Sequence, residues 1–245
     1  MPSGIYIDRE LRIRGAANKK AGILGNFMEK RRHDWDRFTG IALDTTNRWA
    51  TSVPGTSDTI AISEVQGGSA LITTGTVDDD SCMLAGAIIY SDTKNAVVEF
   101  RVTITDVSGT GVFVGFSDAK SEANGSLAIH YPADSVTYVA DNAVGFVIDA
   151  DHATSSIMCA SVNATAGTTP VDSGTDWADG EVKTLRVELN SDDSAVFYLD
   201  GVVVAKIASA IASGTLLCPT VQAITRANDS SNTVRVHSYD AWQDD

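Results

Sequence analysis

Asp149-Ala150-Asp151-His152 places two carboxylates and an imidazole within four residues, directly after the apolar run Val144–Ile148. Carboxylates in a loop are hard oxygen ligands of the kind that hold Ca²⁺, so Asp149 and Asp151 are candidate calcium ligands. Asp78-Asp79-Asp80 is a second acidic turn. Neither run has EF-hand spacing, and both also fit solvated turns of an acidic protein. The other chemistry on offer is sugar recognition, which uses amphipathic aromatics flanked by acids, amides and glycines. Asp176-Trp177-Ala178-Asp179-Gly180 has that composition, as does Tyr138 ahead of Asp141-Asn142. Tyr138, Asp176 and Trp177 are therefore candidate glycan contacts, although Trp177 fits a packed residue at a sheet edge equally well. Ser-His-Asp catalysis needs a histidine held against a nucleophile. His33, His130, His152 and His237 lie in no such context and each reads as a surface imidazole. Cys82, Cys159 and Cys218 sit in apolar runs and read as reduced core thiols, with no Cys-x-x-Cys and no zinc spacing.

Charge is unevenly spread. Nine of the 18 Lys and Arg but only five of the 32 Asp and Glu fall in residues 1–40, which are net +4 in a chain of −14. The remainder is −18, which disfavours nucleic acid as a partner. Such asymmetry marks a separate working part, here a basic arm. Apolar residues are interleaved with its bases, which favours docking on protein. The candidate contacts are Ile5, Tyr6, Ile7, Arg9, Arg12, Arg14, Ile23, Leu24, Phe27, Arg31 and Arg32. Ala17 to His33 could form a helix, weakened by Gly22 and Gly25.

The elements that position these residues are strands. Val98, Phe100, Val102 and Ile104 alternate with Glu99, Arg101, Thr103 and Thr105, as a half-buried antiparallel strand requires. Similar runs are Ala70–Thr74, Leu84–Tyr90, Gly111–Phe116, Val144–Ile148, Ser156–Val162, Thr184–Leu189, Ala195–Leu199, Val202–Ile207, Val221–Thr225 and Val234–Trp242. Asp200-Gly201 between two of them predicts a tight hairpin, because both turn positions need positive φ. Many short strands without long helices imply a two-sheet sandwich.

Five segments carry a family resemblance: Val98–Thr105, Val112-Phe113-Val114-Gly115-Phe116-Ser117, Val144-Gly145-Phe146-Val147-Ile148-Asp149, Lys183-Thr184-Leu185-Arg186-Val187-Glu188 and Val196-Phe197-Tyr198-Leu199-Asp200-Gly201. In this order they resemble the concanavalin A-like, laminin-G-like jelly roll. The whole also looks like structural proteins of tailed bacteriophages that attach such a domain to an N-terminal anchor. Hydrolases of this fold place paired acids on one strand as Glu-x-Asp-x-x-Glu, the two carboxylates glycoside hydrolysis needs. The alginate-lyase branch carries Arg-x-Glu-x-Arg, Gln-x-His and Tyr-x-Lys. None of these motifs is present, and Glu99 and Arg186–Glu188 read as outward cross-strand ion pairs.

The expectation is an all-β, two-sheet antiparallel jelly-roll sandwich over 46–245, with an extended, partly helical basic arm over 1–45. The resemblance implies a non-enzymatic virion protein, a capsid decoration or fibre-like component docked by its arm on a capsid or tail protein and present in several copies. A carbohydrate-binding module for host or environmental glycans is the alternative. No cofactor is expected beyond Ca²⁺. Met1–Asp8 has no signal-peptide core, and no run approaches the ~18 apolar residues of a membrane span. Synthesis in a host cytoplasm, assembly into a virion and no membrane partner follow as expectations.

Overall fold

The structure, a computed structural model, describes residues 31–245 apart from Glu64, Asp134, Ala153 and residues 227–230. The strands in chain order are β1 (Arg31–Asp36), β2 (Ala50–Ser52), β3 (Thr59–Ser63), β4 (Ser69–Thr73), β5 (Ser81–Ala85), β6 (Val97–Ile104), β7 (Thr110–Ser117), β8 (Ile129–Ala133), β9 (Ser135–Tyr138), β10 (Ala143–Ile148), β11 (Ser156–Asn163), β12 (Ala166–Gly167), β13 (Val171–Asp176), β14 (Val182–Leu189), β15 (Ala195–Leu199), β16 (Val202–Ile207), β17 (Cys218–Thr225) and β18 (Thr233–Asp244). The first sheet runs β16-β15-β14-β6-β18-β4-β3, with β1 added to β18. The second runs β12-β11-β10-β7-β17-β5-β2, with β13 added to β11. Neighbours such as β14–β6–β18 and β10–β7–β17 are remote in sequence, which is the crossed connectivity of a jelly roll.

The core lies between the sheets. Val98, Phe100, Val102 and Ile104 of β6 point into it, while Glu99 and Arg101 point out. From the second sheet, Val112, Val114 and Phe116 of β7 meet them beside Val144, Phe146 and Ile148 of β10. The second sheet is also covered on its outer face. Phe113, Val147, Ala160 and Ile224 pack there beneath Leu127, Ala128 and Ile129 and the β8–β9 hairpin. Burial on both faces explains why β7 and β10 read as near-continuous apolar runs. Gly145 makes room for the Phe113 ring, since a Cβ there would lie 2.7 Å from Phe113 Cε2.

The Asp200-Gly201 hairpin forms as expected, with φ of 50° and 83°. Asp200 also accepts the Thr184 N–H at 2.8 Å, so the turn is bonded to β14. The strand expected over Leu84–Tyr90 instead spans Ser81–Ala85, and Tyr90 reaches the sheet only through a single bridge to Leu217. The edge pieces β1, β2, β3 and β13 and the β8–β9 hairpin had no strong pattern in sequence. In β8, Pro132 offers no N–H to a ladder.

The expected boundary at residue 45 needs correction. β1 pairs with the C-terminal half of β18, from Arg31 opposite Asp244 to Asp36 opposite Tyr239. Phe38 is 1% exposed and stacks at 5.4 Å on Trp49, which in turn meets Tyr239 at 5.0 Å. Asp36 ties these together, accepting the Phe38 N–H at 2.7 Å and the Trp49 Nε1–H at 2.9 Å. Residues 31–45 thus belong to the sandwich, and residues 31–33 are strand rather than the end of a helix. Backbone pairing with Gln243 and Asp244 takes Arg32 and Arg31 out of a free arm. The other arm contacts, Ile5, Tyr6, Ile7, Arg9, Arg12, Arg14, Ile23, Leu24 and Phe27, lie outside the described residues, as does the rest of the expected helix.

Candidate functional site

A cavity of about 400 Å³ opens at one end of the sandwich. Three chain segments build it: the turn after β6 (Val107, Ser108), the loop after β10 (Asp149, Ala150, His152, Thr154, Ser155) and the turn after β13 (Trp177 to Asp179). Its apolar surface comes from Val107, Ile148 and Trp177, and its polar groups from Ser108, His152, Thr154, Ser155 and Asp179. A volume of this size with a few convergent polar groups is typical of a small-molecule site.

Asp149 anchors the loop. It directly follows the fully buried strand β10 and is 3% exposed. Arg226, just beyond β17, grips it with two parallel bonds, Nε to Oδ1 and Nη2 to Oδ2, both 2.9 Å. Asp149 Oδ2 also accepts the Tyr131 N–H at 3.2 Å. The remaining guanidinium nitrogen, Nη1, bonds Asp79. The fork geometry of arginine suits such bidentate pairing.

His130 is 6% exposed beside this clamp, which corrects its reading as a surface imidazole. Leu127 N–H donates to its Nε2 at 2.7 Å, and Arg226 Nη2 lies 2.8 Å from its Nδ1. A neutral imidazole has one acceptor nitrogen, so these two donors compete for it. Burial and the Arg226 charge push its pKa down to about 4. His152 lies outside the clamp, stacked on Tyr131 with ring centroids 4.5 Å apart, and its Nδ1 is 3.3 Å from the Thr154 N–H.

Asp151 lies in the same loop, its Oδ2 3.5 Å from Arg226 Nε. Burial, with the neighbouring Asp149 charge, holds its carboxyl above the usual range against the pull of Arg226. Asp179 is committed to the fold, since Oδ1 accepts the Val107 N–H at 2.8 Å.

These contacts correct the calcium expectation for Asp149 and Asp151. Both Asp149 oxygens are engaged by Arg226, and a guanidinium between the two carboxylates repels a cation. Among the described residues no group of three or more His, Cys, Asp or Glu is placed to hold a metal.

The candidate glycan contacts separate. Trp177 is 2% exposed and donates its Nε1–H to Glu181 O at 3.0 Å, so it is a packed wall of the cavity and not an open platform. Asp176 points away, accepting from Ser156 Oγ at 3.0 Å. Tyr138 belongs to the β8–β9 cover, where its ring packs on Gly167 and its hydroxyl donates to Thr165 O at 2.6 Å. Sequence reasoning missed Arg226, His130, Ser108 and Thr154. A lone base at the end of an apolar strand in an acidic chain was the one available signal, at Arg226.

The strands β5, β7, β10, β11 and β17 of the second sheet contain no Asp or Glu. On the first sheet, Arg186 and Glu188 are 2% and 3% exposed, not solvated as expected, with Arg186 Cζ 4.0 Å from the Tyr198 ring centre.

No protein-family model matches the chain, and no curated protein matches it in sequence. Solved structures do match in fold. A Bacillus licheniformis β-glucanase superposes with a TM-score of 0.59 at 9% identity, covering 87% of this chain and 98% of its own. A prokaryotic β-1,3-1,4-glucanase (lichenase) from a mouse hindgut metagenome gives 0.58 at 10% identity, covering 87% and 99%. A structure described with the endo-acting O-glycanases by which human gut bacteria initiate mucin breakdown gives 0.58 at 9%, covering 86% and 99%. At such identities the likeness shows the fold alone, a jelly-roll β-sandwich, and other matches at a TM-score of 0.60 are proteins of unknown function.

The expectation of a non-enzyme is corrected here. It rested on absent acid motifs, yet glucanases share this fold across nearly their whole length, so the fold leaves catalysis open. The virion and capsid reading draws no support from these structures.

Proposed function

We propose that this domain is carbohydrate-active and engages a saccharide in the end cavity. The observation that carries this reading is the cavity itself. Trp177, Ile148 and Val107 offer an apolar surface for a sugar ring, and hydroxyl and imidazole groups of Ser108, Thr154 and His152 rim it. The rim is held by a buried Arg226–Asp149 clamp, which limits the reorganisation that binding has to drive.

Asp151, between the lining residues Ala150 and His152, supports a second, catalytic use of this loop. A carboxyl held above its usual range beside a second carboxylate is the environment of a general acid. The docking of residues 1–30 on a partner protein is retained as part of the proposal, on the strength of their bases and apolar residues.

The test is a panel of β-glucan and mucin O-glycan oligosaccharides, read by calorimetry and by assay of newly formed reducing ends. Binding that weakens at least tenfold in Thr154→Ala or Ser108→Ala supports the reading. Product release lost in Asp151→Asn assigns the catalytic use. Neither binding nor cleavage at millimolar ligand overturns it.

A further inference from the structure

A second concavity, about 340 Å³, lies on the outer face of the first sheet, lined in part by Arg37, Glu99, Arg101, Thr184, His237 and Asp240. The strand register puts basic groups together there. Arg101 of β6 sits between Thr184 of β14 and Ser238 of β18, and Arg235 and His237 follow on β18. A bulge between Val236 and Ser238 inserts His237 out of step with the ladder. Its Nε2 lies 2.9 Å from Thr103 Oγ1.

The charges around this hollow do not cancel. Asp240 is paired with Arg37 at 2.9 Å and approached by His33 at 3.4 Å, and Glu99 faces Arg186 at 3.7 Å. Among the described residues Arg235 donates to hydroxyls, Ser63 Oγ at 2.9 Å and Ser69 Oγ at 3.0 Å. Arg101 is exposed and has no carboxylate partner among the described residues. Among the described residues no carboxylate is bonded to Arg101, Arg235 or His237, and the two acids of the lining, Glu99 and Asp240, are turned to Arg186 and Arg37. Burial and the charges of Arg101 and Arg235 hold the His237 imidazole below its ordinary value. Adjacent like charges repel unless a counter-charge joins them.

We propose that this concavity is an oxyanion-binding site, taking the carboxylate or sulfate group of a ligand between Arg101 and His237. The planar fork of Arg101 matches either group. The hydroxyls of Thr184 and Ser238 lie in the lining as neutral donors. The site stands on the opposite sheet from the β8–β9 cover and does not depend on the saccharide reading of the end cavity.

The experiment is a proton NMR titration of the histidine rings at constant ionic strength, with sodium glucuronate, sodium sulfate or glucose added. A bound anion favours the charged imidazole, so the His237 midpoint rises by about one unit. A shift of His152 reports occupation of the end cavity separately. A rise with glucuronate alone assigns a carboxylate ligand, and one with sulfate a sulfate ester. Arg101→Gln, at an exposed position, abolishes the rise while the spectrum remains that of the folded protein. If neither anion moves His237, or if Arg101→Gln leaves the rise intact, the proposal fails. Glucose binding without an anion effect also counts against it, and leaves the end-cavity reading standing.

Discussion

Arg226 and Asp149 face each other through two parallel 2.9 Å bonds, at the point where β10 ends and the cavity loop begins. One residue follows β17 and the other follows β10, strands that flank β7 on either side. The clamp therefore joins the second sheet to the loop whose side chains rim the site.

Removing one partner of this pair leaves a buried, uncompensated charge, which costs about 3–5 kcal/mol. Arg226→Met is expected to lose that much in urea unfolding, and Asp149→Asn a comparable amount. The double variant Arg226→Met/Asp149→Asn is expected to lose less than the sum of the two singles. Additive losses would show that the pair is not coupled.

Two buried groups give the protein opposing pH dependences. His130 is held at about 4 against an ordinary 6.5, so the unfolded chain binds the proton more readily. Its contribution is complete above pH 6.5 and is lost as pH falls toward 4, in all about 3 kcal/mol. Glu122 is pushed up to about 6 from 4.5, chiefly by burial, then by the Asp118 charge, and its Oε1 is buried without a partner. Its contribution is present below pH 4.5 and is lost as pH rises through 6. Solvent screening keeps this to about 1 kcal/mol. Denaturant midpoints measured from pH 4 to 8 should show His130→Gln flattening the acid limb. Glu122→Gln should raise stability at pH 7.

Phe38 tests where the sandwich begins. It is fully buried against Trp49, so Phe38→Ala is expected to cost about 3–5 kcal/mol. A change within about 0.5 kcal/mol, as for a surface residue, would return residues 31–45 to a separate arm.

Ile129 closes the outer face of the second sheet with Phe113 and Val147. Ile129→Ala is expected to cost about 2–5 kcal/mol. Hydrogen exchange should then speed up first in the β8–β9 hairpin, whose cover over Phe113 is loosened, and last in β7. Uniform acceleration across the sandwich would mean that the hairpin is no separate lid.

The alternation of Val98 to Thr105 fixed that strand's inward face, because side chains of a strand point to opposite faces with period two. Asp200-Gly201 likewise carried its own turn, since positive φ is a local steric property of the residue. The all-β sandwich followed from such local rules. Short edge pieces such as β1 and β3 were not legible, because their pairing with β18 and β4 is a long-range event with little local signature.

The site was legible only in part. Asp149, His152 and Trp177 stood out by composition and do line one cavity, and Asp151 lies beside their Arg226 clamp. Their roles did not follow from composition. Asp149 became an anchor instead of a ligand because Arg226, 77 residues away, arrives beside it. Trp177 became a wall because β13 carries it under the loop, where Ser155 O accepts its backbone N–H at 3.1 Å. The cluster of Arg101, Arg235 and His237 depends on the register between β6 and β18 and on one bulge. Secondary structure is set by near neighbours, which the sequence shows. Charge pairing, burial and cavities are set by residues brought together across sheets, and only the folded chain decides them.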